Sequence, residues 1–228
     1  MNPRLLALLG VRHGEGARTG RLFVLILLLT LTVAVAKAAQ QGIFLATAAR
    51  ERIADAFVLS ALVLALCSLV VSAVAGRVGP VRLFVGLATA VAVLFIGAWT
   101  VFLVHADPMA LYVLVQASIG LMVVQGWSVA TEALDVRSAK RLLPVIGNAA
   151  GLGWTLGGFA VAPLSHLIGA VALVPVAAGL LLATAALALG ACRKSIGCEI
   201  SIRLYTMNLL RSDSLLASQL FSTVRELP

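Results

Sequence analysis

Apolar stretches of about 20 residues recur along this chain, and each is followed by a short polar segment. A helix of that length rises ~1.5 Å per residue and crosses the ~30 Å hydrocarbon layer of a membrane. Lipid offers no hydrogen-bond partners, so each stretch must pair its own backbone groups and is predicted to be an α-helix. The pattern predicts an all-α membrane protein with six transmembrane helices, at Leu22–Thr47, Ile53–Ala75, Leu83–Val104, Met109–Ala130, Val145–Leu167 and Ala170–Ala191.

The composition excludes a soluble domain. Hydrophobic residues make up 61% of the 228 positions and charged residues 11%, and the mean hydropathy is +1.08. Soluble domains carry about a quarter charged residues. The net charge of +8 does not indicate a nucleic-acid partner, because most Lys and Arg fall in alternate loops, so we expect none.

The loop charges predict how the helices are oriented. Cytoplasmic loops of membrane proteins are richer in Lys and Arg than loops on the other side. The opposite side has Arg50 and Arg52, then His105 with Asp107, then His166. The basic side carries Arg4, Arg12, Arg18, Arg21, Arg77, Arg82, Arg137, Lys140, Arg141, Arg193 and Lys194. Both termini are therefore predicted to be cytoplasmic.

The chain divides into three segments by composition. Residues 1–21 form a basic cytoplasmic lead, residues 22–194 form the six-helix bundle, and residues 195–228 form an atypical cytoplasmic tail. In the tail the Ala/Val/Gly bias gives way to Ser, Arg, Met and Glu. Leu209–Val224 has the pattern of a short amphipathic surface helix. The alternative is that the native reading frame ends near Lys194 or that the chain is truncated there, and no function is assigned to the tail.

The connection between the fourth and fifth spans is longer and more charged than the others. It runs from Thr131 to Pro144 and contains Glu132, Asp135, Lys140 and Arg141. We expect it to extend the fourth helix into the cytoplasm and to end that helix before Pro144, because the residue before a proline is disfavoured in a helix.

Polar residues inside the first and fourth spans are the candidate functional residues. An ionisable group within hydrocarbon is costly and by default marks a water-filled path or a binding site. Lys37, Gln40 and Gln41 share one face of the first helix, and the fourth span carries Gln116 and Gln125. We predict that these five residues line a substrate path. The alternatives are that Lys37 extends to the membrane surface and that the glutamines serve interhelical hydrogen bonding.

The fifth span is rich in glycine. Small residues let helix backbones approach closely in lipid, which predicts helix packing at Gly147, Gly151, Gly153, Gly157 and Gly158. A second interpretation is that this helix slides against a neighbour during gating.

No enzyme constellation is found in the sequence. His13, His105 and His166 lie outside the spans or at their ends, and no metal-ligand pair, Ser–His–acid group or phosphate-binding loop can be assembled. We therefore expect neither catalysis, nor a cofactor, nor a metal site.

Several motifs resemble the major facilitator superfamily. Gly153-x-x-x-Gly157-Gly158 is similar to its fifth-helix motif without the usual proline, and Gly76–Arg82 is similar to its loop between the second and third helices without the acidic residue. Ala36–Leu45, Trp127–Glu132 and Ala139–Pro144 resemble the ATP/ADP translocase-like (nucleotide exchange) family and its uncharacterised bacterial relatives. This resemblance spans residues 22–191.

The resemblance implies the N-terminal half bundle of a twelve-helix carrier that works by alternating access, located in a bacterial cytoplasmic (inner) membrane. It does not imply ATP/ADP exchange. Gln40 stands where the family would place a second cation, and Gln116 stands where it would place an acid. One lysine balances a nucleotide's several negative charges poorly.

The leading hypothesis is a membrane transporter for a small solute, and Lys37 is compatible with an anionic one. Its other partner is the lipid bilayer. The half bundle would need a C-terminal half or a second copy in a homodimer. The alternatives are a non-transporting six-helix scaffold or assembly partner, in which the polar residues serve packing, and an inactive fragment of a longer carrier.

Overall fold

The computed structural model describes residues 16–47, 52–105 and 107–193. Within these ranges the chain is helical and is interrupted only by short turns, which confirms the predicted all-α, six-helix architecture. All six helices are long and apolar enough to cross a membrane. They are α1 (Gly16–Thr47), α2 (Ile53–Ala75), α3 (Pro80–His105), α4 (Pro108–Glu132), α5 (Val136–Ile168) and α6 (Leu173–Arg193).

Several predicted features fall outside the described residues: the lead up to residue 15, Arg50, and the tail over 195–228. The last part of the predicted lead, from Gly16 to Arg21, is helical and continues into α1. One compact unit of the chain ends at Leu189, and of the following unit the structure describes only residues 190–193.

The connection between α4 and α5 differs from the prediction. The expectation that the fourth helix extends toward Pro144 is wrong, because α4 ends at Glu132 and α5 begins at Val136. Asp135 has an extended ψ of 152° and breaks the helix. Pro144 then lies inside α5 and leaves the Lys140 carbonyl without its helical partner. Lys140 and Pro144 are both exposed, so water can hydrate that carbonyl.

Other helix ends follow from local sequence. Pro108 occupies the first turn of α4, where its missing N–H costs nothing. The Asp107 carboxylate accepts a hydrogen bond from the Met109 N–H at 3.0 Å and caps the helix. Helix α5 ends at Ile168, and Gly169 follows it. Gly169 has φ +83°, a conformation that a residue with a Cβ rarely adopts.

Helix α1 is the central helix of the bundle. It packs most extensively against α5 and then against α4, while α2 and α3 each pack on α4. In its most apolar window 61% of α1 is buried, against 6% of α2. The core joins side chains of α1, α3, α4, α5 and α6, including Ile26, Phe84, Val115, Ile146 and Leu181. The outer side chains of α2, such as Val58, Leu62 and Leu69, are exposed and suited to contact lipid.

Two glycines of α5 set the distance between α5 and α1. A Cβ at Gly153 would meet the Thr30 hydroxyl and lie 2.6 Å from the Leu27 carbonyl oxygen. A Cβ at Gly157 would lie 2.5 Å from the Ala34 Cβ. Both distances are shorter than van der Waals contact, so only glycine permits this approach. At Gly147, Gly151 and Gly158 a Cβ would meet nothing within 4 Å.

We predict that Gly153→Ala destabilises the protein by about 1–3 kcal/mol, because the α1 backbone must shift to admit the methyl group. Gly151→Ala is the matched control, since its Cβ would enter open space, and it should leave stability unchanged or slightly higher. The measurement is reversible unfolding of the purified protein in mixed detergent micelles. Equal stability of the two variants would contradict the close α1–α5 contact.

Candidate functional site

The site is built where α1 and α4 cross the bundle side by side. Leu29 lies at Gly126, and the Phe44 ring packs against the Tyr112 ring at a tilt of 47°. Later residues of α1 thus meet earlier residues of α4, so the two helices run antiparallel. This arrangement brings Lys37 and Gln40 to the level of Gln116.

Three side chains and one carbonyl form a polar group between these helices, which we call the Lys37 cluster. The Lys37 Nζ donates a hydrogen bond to Gln116 Oε1. The Gln40 Nε2 donates to the same oxygen at 3.3 Å and to the Tyr112 carbonyl at 3.1 Å. Gln116 Oε1 has two lone pairs and uses both.

The hydrogen bonds determine which way both amides face. Reversing the Gln40 amide would place its oxygen against the Tyr112 carbonyl oxygen, and reversing Gln116 would place an NH₂ against the Lys37 ammonium. Gln40 is only 1% exposed, and its buried Oε1 has no hydrogen-bond partner in the part of the chain that the structure describes. An unpaired buried acceptor costs about 1–3 kcal/mol.

The charge of Lys37 is not neutralised inside the described structure. Lys37 is half-buried, and its one hydrogen-bond partner in residues 16–47, 52–105 and 107–193 is the neutral Gln116 amide. Two ammonium N–H groups and the Gln116 NH₂ therefore stay available. The cluster offers hydrogen-bond donors, positive charge and one unused acceptor.

Aromatic side chains pack around Tyr112, whose carbonyl belongs to the cluster. The Phe44 and Tyr112 rings lie 4.6 Å apart between centroids, and Phe57 of α2 meets Tyr112 edge-on at 5.9 Å. Sequence reasoning did not select these residues. A usable signal was present, because Tyr112 is one of two tyrosines in the chain and precedes Gln116 by one helical turn on the same face.

Two residues of the predicted path lie outside the cluster. Gln41 is exposed on α1. Gln125 is buried, but it follows Gln116 by about two and a half turns of α4 at ~3.6 residues per turn, which places it on the opposite side of that helix. The structure therefore brings together Lys37, Gln40 and Gln116.

The candidate residues of the loop lie at the other end of α4. Glu132 is the last residue of α4 and Asp135 precedes α5. Glu132, Asp135 and Lys140 are exposed, whereas Arg141 is half-buried. Among the described residues, no group of three or more His, Cys, Asp or Glu is placed to hold a metal ion.

No family model, curated protein or solved structure matches this chain. The resemblance to the major facilitator superfamily therefore stays a prediction that rests on the motifs quoted above.

We predict that Lys37 and Gln116 are energetically coupled. Gln116→Met removes the acceptor shared by Lys37 and Gln40 and should destabilise the protein by about 1–3 kcal/mol. In a double-mutant cycle with Lys37→Met, the unfolding free energies should show a coupling of about 0.6–1.7 kcal/mol, the range for hydrogen bonds between membrane helices. The parallel cycle with Gln125→Met should show a coupling near zero. Equal coupling in the two cycles would remove the basis for the cluster.

Proposed function

We propose that this protein is a membrane transporter for a small anionic solute and works by alternating access. In this proposal the six helices are the half bundle of a major facilitator-type carrier. The Lys37 cluster contacts the solute, with the ammonium providing positive charge and the Gln116 amide providing hydrogen-bond donors.

The observation that carries the proposal is a lysine within a membrane span that has no carboxylate partner among the described residues. A charged side chain at the centre of a span costs about 2.5–3.5 kcal/mol, and Lys37, which lies between the midpoint and the end of α1, bears part of that cost. Helix packing alone would be served by a neutral residue at lower cost. The Lys37 ammonium also meets a side chain of a neighbouring helix, which favours an interior role over extension to the membrane surface.

The contact between α1 and α5 supports movement of α1. The Thr30 hydroxyl, which lies against Gly153, donates within its own helix to the Ile26 carbonyl at 2.8 Å. At this point Thr30 and the Leu27 carbonyl occupy the space that a Gly153 side chain would fill. Because the Thr30 hydroxyl bonds within α1, a shift of α1 along α5 would not break that hydrogen bond, as the gating interpretation of the glycine motif requires.

The loop charges extend the proposal to orientation. With both termini in the cytoplasm of a bacterial cell, the turn between α4 and α5 lies on the cytoplasmic side. The end of α1 at Thr47 and the start of α4 at Pro108 then lie on the outer side, together with the Phe44–Tyr112 pair.

A scaffold protein is the competing function, since a packing role also explains hydrogen bonds between α1 and α4. The two functions differ in whether water reaches the cluster. A carrier must expose it to solution in at least one conformation, whereas a scaffold keeps it closed.

We predict that Gln116→Cys, in a background with Cys67, Cys192 and Cys198 replaced by alanine, reacts with water-soluble thiosulfonates in intact membranes. The anionic sulfonatoethyl reagent should react several-fold faster than the cationic trimethylammonioethyl reagent, because Lys37 attracts it. Adding Lys37→Met should remove that preference. Val124→Cys is the control, since Val124 is 61% exposed on the outer surface of α4 and should face lipid. A site at 116 that stays unreactive would favour the scaffold.

Solute uptake tests transport itself. The full chain in proteoliposomes should accumulate radiolabelled lactate or phosphate in counterflow, and Lys37→Met should reduce the rate at least tenfold by removing the charge. Lys37→Arg is the charge-preserving control and should retain a measurable part of the rate. Uptake by Lys37→Met at the wild-type rate, or no uptake of either anion by the wild type, would refute an anion carrier based on Lys37.

A further inference from the structure

We propose that the ligand of the Lys37 cluster is an oxyanion that carries its own hydrogen-bond donor. Two chemical sources share this feature: a 2-hydroxycarboxylate and a singly protonated phosphate ester. The inference rests on the proposed function, because it specifies the solute that the same cluster would bind.

The side-chain oxygen of Gln40 is buried and has no hydrogen-bond partner among the described residues. The amide nitrogen on the same carbon donates to Tyr112 O at 3.1 Å and to Gln116 Oε1 at 3.3 Å. Rotating the amide by half a turn would place its oxygen against the Tyr112 carbonyl oxygen and Gln116 Oε1, where acceptor would face acceptor. The structure therefore holds an acceptor that only a donor from outside the cluster can satisfy.

The other free groups of the cluster are donors. Among the described residues, Lys37 has two unused N–H donors. The Gln116 NH₂ can only donate hydrogen bonds. These groups suit the negatively charged oxygens of a ligand. The Gln40 nitrogen bonds the same Gln116 oxygen that Lys37 contacts, so the acceptor and the ammonium lie within one small site. A compact ligand with its donor next to its anionic group matches both.

The same geometry disfavours other anions. A simple carboxylate would leave Gln40 Oε1 unpaired, and a fully deprotonated phosphate would place a charged oxygen against it. A site built to hydrogen-bond a particular group rejects analogues that lack that group. One unmatched buried hydrogen bond corresponds to about 5- to 150-fold in affinity.

Access to this oxygen requires movement. Gln40 is 1% exposed, so a ligand reaches Oε1 only in a conformation in which α1 and α4 separate near Tyr112. Alternating access supplies such a conformation. In the structure the unpaired oxygen raises the free energy of the site, and a matching ligand would lower it once the oxygen is exposed.

The test compares ligand pairs in which methylation replaces one O–H donor by a methyl ether or methyl ester, and the Gln40 variant below separates the loss of the donor from the added bulk. Dissociation constants are measured by isothermal titration on the full chain in lipid nanodiscs. One pair is lactate and 2-methoxypropionate. The other is monomethyl phosphate and dimethyl phosphate, below the second phosphate pKa of about 6, where both carry a single negative charge. We expect the donor-bearing member of at least one pair to bind about 5- to 150-fold more tightly.

Variants assign the preference to Gln40. Gln40→Met has a similar length and only a weak thioether acceptor, and it should lose most of the preference for the donor-bearing member. Gln41→Met is the matched control, because Gln41 is exposed and outside the cluster, and it should keep the wild-type preference. The pair that shows the preference identifies the ligand as a carboxylate or a phosphate ester.

Two results would overturn the inference. If wild type binds both members of each pair equally and Lys37→Met abolishes that binding, the anion site stands but Gln40 Oε1 is satisfied by water alone. If Gln40→Met keeps the preference for the donor-bearing ligand, another group of the protein accepts the ligand's hydrogen bond. Absence of binding by all four compounds would reject the inference. Anion-selective labelling of Gln116→Cys would in that case still support the proposed function.

Discussion

The close approach of α5 to α1 at Gly153 and Gly157 is the contact on which the rest of the bundle depends. In lipid, apolar side chains gain little by leaving the solvent, so helices associate through dispersion contacts and hydrogen bonds. Glycine allows the Leu27 and Leu31 backbone to lie directly against α5. This contact fixes the position of α1, and α1 in turn carries Lys37 and Gln40 to α4. Gly157 meets Ala34, one helical turn before Lys37. The register of α1 against α5 therefore also sets the position of the polar cluster along the helix axis.

The polar cluster has the opposite energetic character. Its members would each be more stable in water, and they are kept between helices by a few hydrogen bonds that share Gln116 Oε1. Within the described ranges, one acceptor remains unsatisfied and the ammonium is paired only with a neutral amide. Buried polar groups that are only partly satisfied are costly, so the cluster stabilises the bundle less than its hydrogen bonds alone would suggest.

The outer helices contribute differently. Helix α2 touches the rest of the protein through a narrow strip that includes Ala56 and Ser60 and Leu64, which lies against Gly120. Its remaining large side chains are exposed. Lipid is as apolar as these side chains, so this exposure carries little cost. The same helix places Phe57 against Tyr112. Helix α2 therefore contacts a residue whose carbonyl belongs to the Lys37 cluster.

The sequence by itself determined the six helices, because the length of an apolar stretch and the lack of hydrogen-bond partners in lipid leave no other structure. It also identified Lys37, Gln40 and Gln116 as unusual, since polar groups in hydrocarbon are costly wherever they occur. It misplaced the start of α5, because the local preference against helix before Pro144 was outweighed by hydration of an exposed carbonyl near the helix end.

Only the tertiary structure decided which polar groups meet. Gln41 and Gln125 have the same chemistry as Gln40 and Gln116, and helical periodicity places Gln41 close to the face of Lys37. Their separation from the cluster depends on the rotation of α1 and α4 about their axes. That rotation is set by contacts between residues far apart in the chain, such as Leu29 with Gly126 and Thr30 with Gly153. Sequence periodicity describes one helix at a time, whereas a site between helices requires the packing of all of them.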